Sequence, residues 1–182
     1  ISNYVSHLKV RTSYGLVGSD EFNGGAPHFL YQNNISIGSA HDFWTGLPTS
    51  EINRKGPAFY VLAVQNAGWE HVKKFDIGFD MSLFNQLNIT FDYFHDKRVR
   101  FLRARACWPY MLGYWGSLPW SNIGEVVNQG YELSVNWSKQ FGKDWSIDLR
   151  GNFTYNQNEY KYVDEPNYPY TWQTKTGKPL NT

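Results

Sequence analysis

Cysteine is nearly missing from this chain. Cys107 is the single one in 182 residues, so neither an intrachain disulfide nor a cysteine-based metal site is available. Net charge is nearly missing too: a formal +1 removes the electrostatic case for a nucleic-acid partner. No apolar run approaches the ~20 residues that a spanning helix requires, and no stretch reads as a signal peptide. His7, His28, His41, His71 and His95 show no metal-ligand spacing. With no G-x-S-x-G, Walker or dinucleotide motif, an enzyme is not expected, nor is a cofactor. Helical periodicity of any length is absent. The chain begins at Ile1 without Met and ends in Asn181-Thr182, so it is expected to be an excerpt of a longer protein.

What the chain does contain is aromatic side chains and alternation. Aromatics make up 18% of residues, with 8 Trp and 13 Tyr, against 41% hydrophobic content and a mean hydropathy of −0.54. A soluble core does not need so many amphipathic rings, whereas membrane interfaces and sugar-binding surfaces use them. From Phe75, the apolar residues Ile77, Phe79, Met81 and Leu83 alternate with Asp76, Gly78, Asp80 and Ser82. After Phe84-Asn85-Gln86 the pattern resumes with Leu87, Ile89, Phe91 and Tyr93. A period of two places successive side chains on opposite faces of a strand, and the short break predicts an antiparallel hairpin. The design returns with Tyr131, Leu133, Val135 and Trp137, a turn at Gly142-Lys143-Asp144, and then Trp145, Ile147, Leu149, Phe153 and Tyr155.

These patterns predict about five strands, over 8–17, 69–83, 87–102, 127–141 and 145–160. The segments 18–68, 103–124 and 161–182 are expected to be long loops, with short strand pieces allowed near Phe59 to Val64. Long and very short connections therefore alternate. In an up-and-down antiparallel sheet this puts the short turns at one end and the long loops at the other, the layout of an outer-membrane barrel. The expected fold is all-β: antiparallel up-and-down strands with long loops at one end, part of a large transmembrane β-barrel.

The rings can be measured against a bilayer. Trp145 and Tyr155 share a face ten residues apart. At ~3.3 Å per residue and a tilt near ~40°, that spacing projects to roughly 25 Å, the height between two aromatic girdles. Trp137 and Trp145 are thus candidate membrane-interface residues at the short-turn end, with Tyr131 and Tyr155 at the loop end. Asp76, Asp80, Asp92, Glu132, Asp148 and Arg150 would face a wet lumen. The competing reading is a soluble sandwich, for instance a carbohydrate-binding or adhesive β-domain with one apolar face in a core. The direction in which Tyr131, Trp137, Trp145 and Tyr155 point separates the two.

Several segments carry a family resemblance. They are LKVRTSYGLVG from Leu8 to Gly18, Gly68-Trp69-Glu70, FDIGFDMSLFNQLNITFDYFHDKR from Phe75 to Arg98, and SNIGEVVNQGYELSVNW from Ser121 to Trp137. DLRGNFTYNQNE from Asp148 to Glu159 and Thr176-Gly177-Lys178-Pro179-Leu180 complete the set. In order and spacing the chain resembles the SusC/RagA-like TonB-dependent outer-membrane transporters of Bacteroidetes-type bacteria. The resemblance implies part of the C-terminal half of a 22-stranded barrel whose plug and TonB box lie elsewhere. It also implies import of an oligosaccharide or peptide, a SusD-like lipoprotein lid, energy from the TonB complex, and outer-membrane lipid around the wall. Five strands alone would leave two unpaired edges, so an open sheet is expected.

Candidate binding residues are the aromatics of the 103–124 loop: Trp108, Tyr110, Tyr114, Trp115 and Trp120. Loops on a rigid scaffold concentrate binding residues, and aromatic faces stack on sugar rings or contact a peptide or a lid. The plainer reading is that these rings hold an otherwise patternless loop together. The basic run Lys97-Arg98-Val99-Arg100, with Arg103 and Arg105, would attract an anionic substrate or lipopolysaccharide, or simply stand solvated above the membrane. Asp76, Asp80 and Asp92 could hold a cation, but their regular alternation favours lumen lining.

Overall fold

The computed structural model describes residues 4–19, 29–46, 52–64, 66–109, 111 and 118–180. Among the described residues seven strands are present: β1 (Val5–Ser19), β2 (Asn34–Thr45), β3 (Ile52–Val61), β4 (Glu70–Leu83), β5 (Leu87–Ala104), β6 (Trp120–Phe141) and β7 (Trp145–Tyr162). One antiparallel sheet has the order β1-β4-β5-β6-β7, and β2 and β3 pair apart from it. A 3₁₀ turn, Thr171–Gln173, follows β7. No helix among the described residues is long and apolar enough to cross a membrane, which says nothing about crossing by strands.

The register turns the alternation into two unlike faces. Val10, Phe79, Phe91, Leu133 and Phe153 form one row across the sheet, and Thr12, Ile77, Tyr93, Tyr131 and Tyr155 form the next. Their rings stack along and between rows: Phe79 on Phe91 at 5.5 Å, Tyr131 on Phe153 at 5.9 Å and on Tyr155 at 5.3 Å. On the opposite face, Lys9, Asp80, Thr90, Ser134 and Asn152 make one row, and Arg11, Gly78, Asp92, Glu132 and Thr154 another.

No ordinary core accompanies the apolar face. Among the described residues the buried hydrophobics are Leu30, Val72, Val126, Val127 and Val163, while Trp145 is 74% exposed, Leu149 58% and Phe153 54%. A soluble sandwich would bury these side chains between sheets, and here they stand exposed on one face of the sheet. Such a face needs a non-aqueous environment.

Both tight turns fall at one end. At Phe84-Asn85-Gln86 the amide of Gln86 donates to the Leu83 carbonyl at 3.0 Å, and Phe84 and Asn85 have φ of 54° and 53°, the geometry of a type I′ turn. Phenylalanine is an unusual occupant of that region. Here Tyr4 stacks edge-on against it at 5.6 Å, and the Phe84 amide donates to the Tyr4 carbonyl. Gly142, with φ of 70°, serves the second turn, where glycine bears no steric penalty.

Two sequence expectations need correction. The segment 18–68 is not one irregular loop, because it holds the β2–β3 hairpin. That hairpin has register irregularities at Asn34/Ile35, Ile37/Ala40 and Ala40/Phe43, and Pro57 lies within β3; such bulges erase the period of two. The segment 103–124 is shorter as a loop than expected, since β5 runs to Ala104 and β6 already begins at Trp120, seven residues before 127. Strands of 18 and 22 residues also exceed the ~10 needed to span a bilayer, so β5 and β6 continue well past the Tyr131–Tyr155 row toward the loop end.

Candidate functional site

Beyond the tyrosine row the pairing of β5 with β6 changes character. Register shifts fall between Val99 and Phe101 and between Phe101 and Leu102, and Arg100 sits between them at φ 60°. A non-glycine residue there costs about 1–3 kcal/mol, so its neighbours must fix it. Asn122 does so with its whole amide group. Its Nδ2 donates to the carbonyls of Arg100 and Gly68, both at 2.8 Å, and its Oδ1 accepts from the Gly68 amide at 3.1 Å. Opposite the bulge, Phe101 lies flat against Gly124: a Cβ there would stand 1.8 Å from the ring. Only glycine leaves room for it.

These contacts shape a cleft of about 480 Å³, lined by residues 62–64 and by Asn66, Arg100, Arg105, Trp108 and Trp120. Two of the aromatics expected to bind, Trp108 and Trp120, thus share one cavity. Tyr110, Tyr114 and Trp115 lie outside the described residues. The cleft lies where β6 is bulged, and the three consecutive residues Trp120, Ser121 and Asn122 all line it. Arg100 was marked only as part of the basic run, and Asn66 carries no sequence signal that would have marked it.

A second set of polar contacts closes the base of the loop. Asp164, just past β7, accepts from Arg105 Nε at 2.9 Å and Nη2 at 3.5 Å, and from the amides of Ala106 at 3.0 Å and Cys107 at 3.3 Å. Burial pushes the Asp164 carboxyl up, but the Arg105 hydrogen bond, the two amides and the Arg105 charge together hold it below its ordinary value. The same hydrogen bond raises Arg105. Glu165 is also held low, first by the Lys175 amide and then by Thr176, against partial desolvation. The segment after β7 is thereby folded back: Gly177 donates to the Tyr160 carbonyl at 2.8 Å and Tyr160 to that of Lys178 at 3.0 Å.

The basic run is dispersed. Lys97 pairs with Glu125 at 2.5 Å, Arg98 with Glu70 at 3.7 Å, and Arg103 lies 6.0 Å over the Tyr160 ring. Of these cations only Arg100 and Arg105 line the cleft. Among the carboxylates, Asp80 and Asp92 share Arg11, which meets Asp92 at 2.8 and 2.9 Å and Asp80 at 3.4 Å. No set of three or more His, Cys, Asp or Glu side chains suited to a metal occurs among the described residues. The four candidate interface aromatics are all on the apolar face: Tyr131 opposite Tyr155, Trp137 opposite Leu149, and Trp145 opposite Phe141 beside the short turn.

An open antiparallel sheet of long strands, with one apolar face exposed and the other polar, has the form of one wall of a transmembrane β-barrel. The family described as TonB dependent receptor-like, beta-barrel matches residues 4–182, and the chain belongs to it. The chain is 30% identical to TonB-dependent receptor P3 of Formosa agariphila, with 87% of this chain and 14% of the relative covered. It is 27% identical to TonB-dependent receptor P39 of the same organism, with 86% and 14% covered. Among solved structures it resembles the RagAB peptide importer in the 'closed-closed' state (TM-score 0.66, 22% identity, 98% of this chain and 19% of that one). The 'open-open' state gives a TM-score of 0.65 at 22% identity, covering 90% and 16%. The chain therefore spans about one seventh of the curated relatives' length.

Proposed function

We propose that the protein to which this wall belongs is an outer-membrane TonB-dependent importer of an oligosaccharide or peptide in a Bacteroidetes-type bacterium. A SusD-like lipoprotein would close it from outside, and the TonB complex would drive it through regions beyond this chain. The observation that carries the reading is the division of one sheet into an exposed aromatic and aliphatic band and a charged inner face. Tyr131, Trp137, Trp145 and Tyr155 are its girdle residues in outer-membrane lipid, and Trp108 and Trp120 its cargo or lid contacts, together with Tyr110, Tyr114 and Trp115. No chemical step is assigned to the wall: it is not an enzyme in this reading, and it needs no cofactor.

A soluble carbohydrate-binding or adhesive domain is disfavoured because it would leave Phe153, Leu149 and Trp145 in water. The experiment is uptake against surface abundance in cells carrying the intact gene. Trp108→Ala should lower uptake of the native nutrient while the amount of protein in the outer membrane stays constant. A parallel drop in both quantities would make Trp108 a packing residue, and release of the intact protein without detergent would remove the barrel reading.

A further inference from the structure

Arg100 differs from every other cation around it. Lys97, Arg98 and Arg105 each have a carboxylate partner and Arg103 has a ring, but among the described residues no carboxylate lies within ion-pair distance of Arg100. Its backbone is held in a left-handed conformation by the Asn122 amide, at a bulge, and bulges re-aim side chains. Arg100 lines a cleft that Trp108, Trp120, Asn66 and Ser121 also line. An unpaired guanidinium is a fork for a carboxylate, and indole faces accept the C–H face of a sugar ring.

The cleft is poorly suited to an extended peptide. A peptide that adds to a sheet needs a free strand edge. Here β5 and β6 are paired with each other as far as Ala104 and Trp120. The amides of Ala63 and Val64 are already donated, to Asn33 Oδ1 and to the Leu30 carbonyl. We propose that the cleft takes an acidic saccharide, a uronate-bearing oligosaccharide whose carboxylate binds Arg100 while its sugar faces rest on Trp108 and Trp120. This rests on the importer reading and narrows its cargo.

The test uses the intact transporter in detergent and three probes: an oligogalacturonate, a neutral galacto-oligosaccharide of equal length, and a hexaglutamate peptide. Arg100→Asn removes the charge while tolerating the left-handed backbone, so the bulge survives. Oligogalacturonate affinity should fall about tenfold or more in this variant, since hydrogen bonds to charged groups carry that much. The neutral sugar should change by less than about twofold, and added salt should weaken the wild type but not the variant. An unchanged oligogalacturonate affinity, an equal loss for the peptide, or no oligogalacturonate binding by the wild type would each overturn the inference. If Trp108→Ala lowers binding of either sugar while Arg100→Asn does nothing, only the acidic preference fails. If neither variant alters uptake of the native nutrient, the loop-end site fails with it.

Discussion

The two ends of this sheet are held together by different forces. At the short-turn end, from Leu83 to Tyr93 and from Tyr131 to Leu149, strands run without irregularity and side chains alternate strictly. Apart from the pair Arg11 makes with Asp92, order there comes from the backbone ladders and the stacked rings of the apolar face. At the loop end, from Val99 to Asn122 and from Tyr162 onward, the ladder is broken by bulges and order comes from individual polar groups. The first kind of order tolerates exchange of one apolar residue for another. The second is sensitive to single atoms, and that is where a wall can acquire specificity.

The sharpest break of the contrast is a charge on the outward face. Val135→Lys, near the middle of the apolar band, should cost about 2–4 kcal/mol of barrel stability. Asn136→Lys, its neighbour on the inner face, should stay within about 0.5 kcal/mol. Urea titrations of the intact barrel in lipid vesicles measure both, and equal costs would mean that the two faces are wrongly assigned. Gly78→Val comes next. A Cβ at this position would stand 1.9 Å from Asp92 Oδ1 and 2.7 Å from the Phe91 carbonyl, so the Arg11–Asp92 pair has to open. The expected loss is about 1–3 kcal/mol, and a double-mutant cycle with Asp92→Asn should show strong coupling between the two sites.

Smaller and more local is Asp164→Asn, which should loosen the 105–109 segment without moving global stability much, seen as faster protease cleavage there. The sign with pH is fixed by the depressed carboxyls of Asp164 and Glu165. Their contribution is complete above the unfolded values of about 3.8 and 4.5, and is lost as pH falls through the lower folded values. Loop cleavage should therefore rise in acid before the barrel itself unfolds. Cleavage at 105–109 that is flat with pH in the wild type would show that Asp164 does not fasten the loop.

The same division explains what could be read from residues alone. Where the sheet is regular, alternation revealed the two faces, both tight turns and the shared polar face of Asp80, Asp92 and Glu132, because a period of two is a property of consecutive residues. The resemblance supplied the family for the same reason, since its longest segments, Phe75 to Arg98 and Ser121 to Trp137, span the regular half. The β2–β3 hairpin was invisible because bulges and Pro57 break its alternation. The start of β6 was hidden by a bulged stretch containing Gly124. The cleft was half legible: Trp108 and Trp120 stood out by type, whereas Arg100, Asn66 and Asn122 are drawn together by pairings between distant segments.

Gly78 leads to one further consequence. Fifty residues separate β1 from β4, so no hairpin connection guides the first strand to its place. By presenting no side chain, Gly78 opens a window through which Arg11 on β1 reaches Asp92 on β5, skipping the strand between them. The latch exists only once the β4–β5 ribbon has formed and its carboxylate is in position. One side chain thus ties three strands: β1 is fastened to the β4–β5 ribbon across its middle strand as well as by its own backbone ladder.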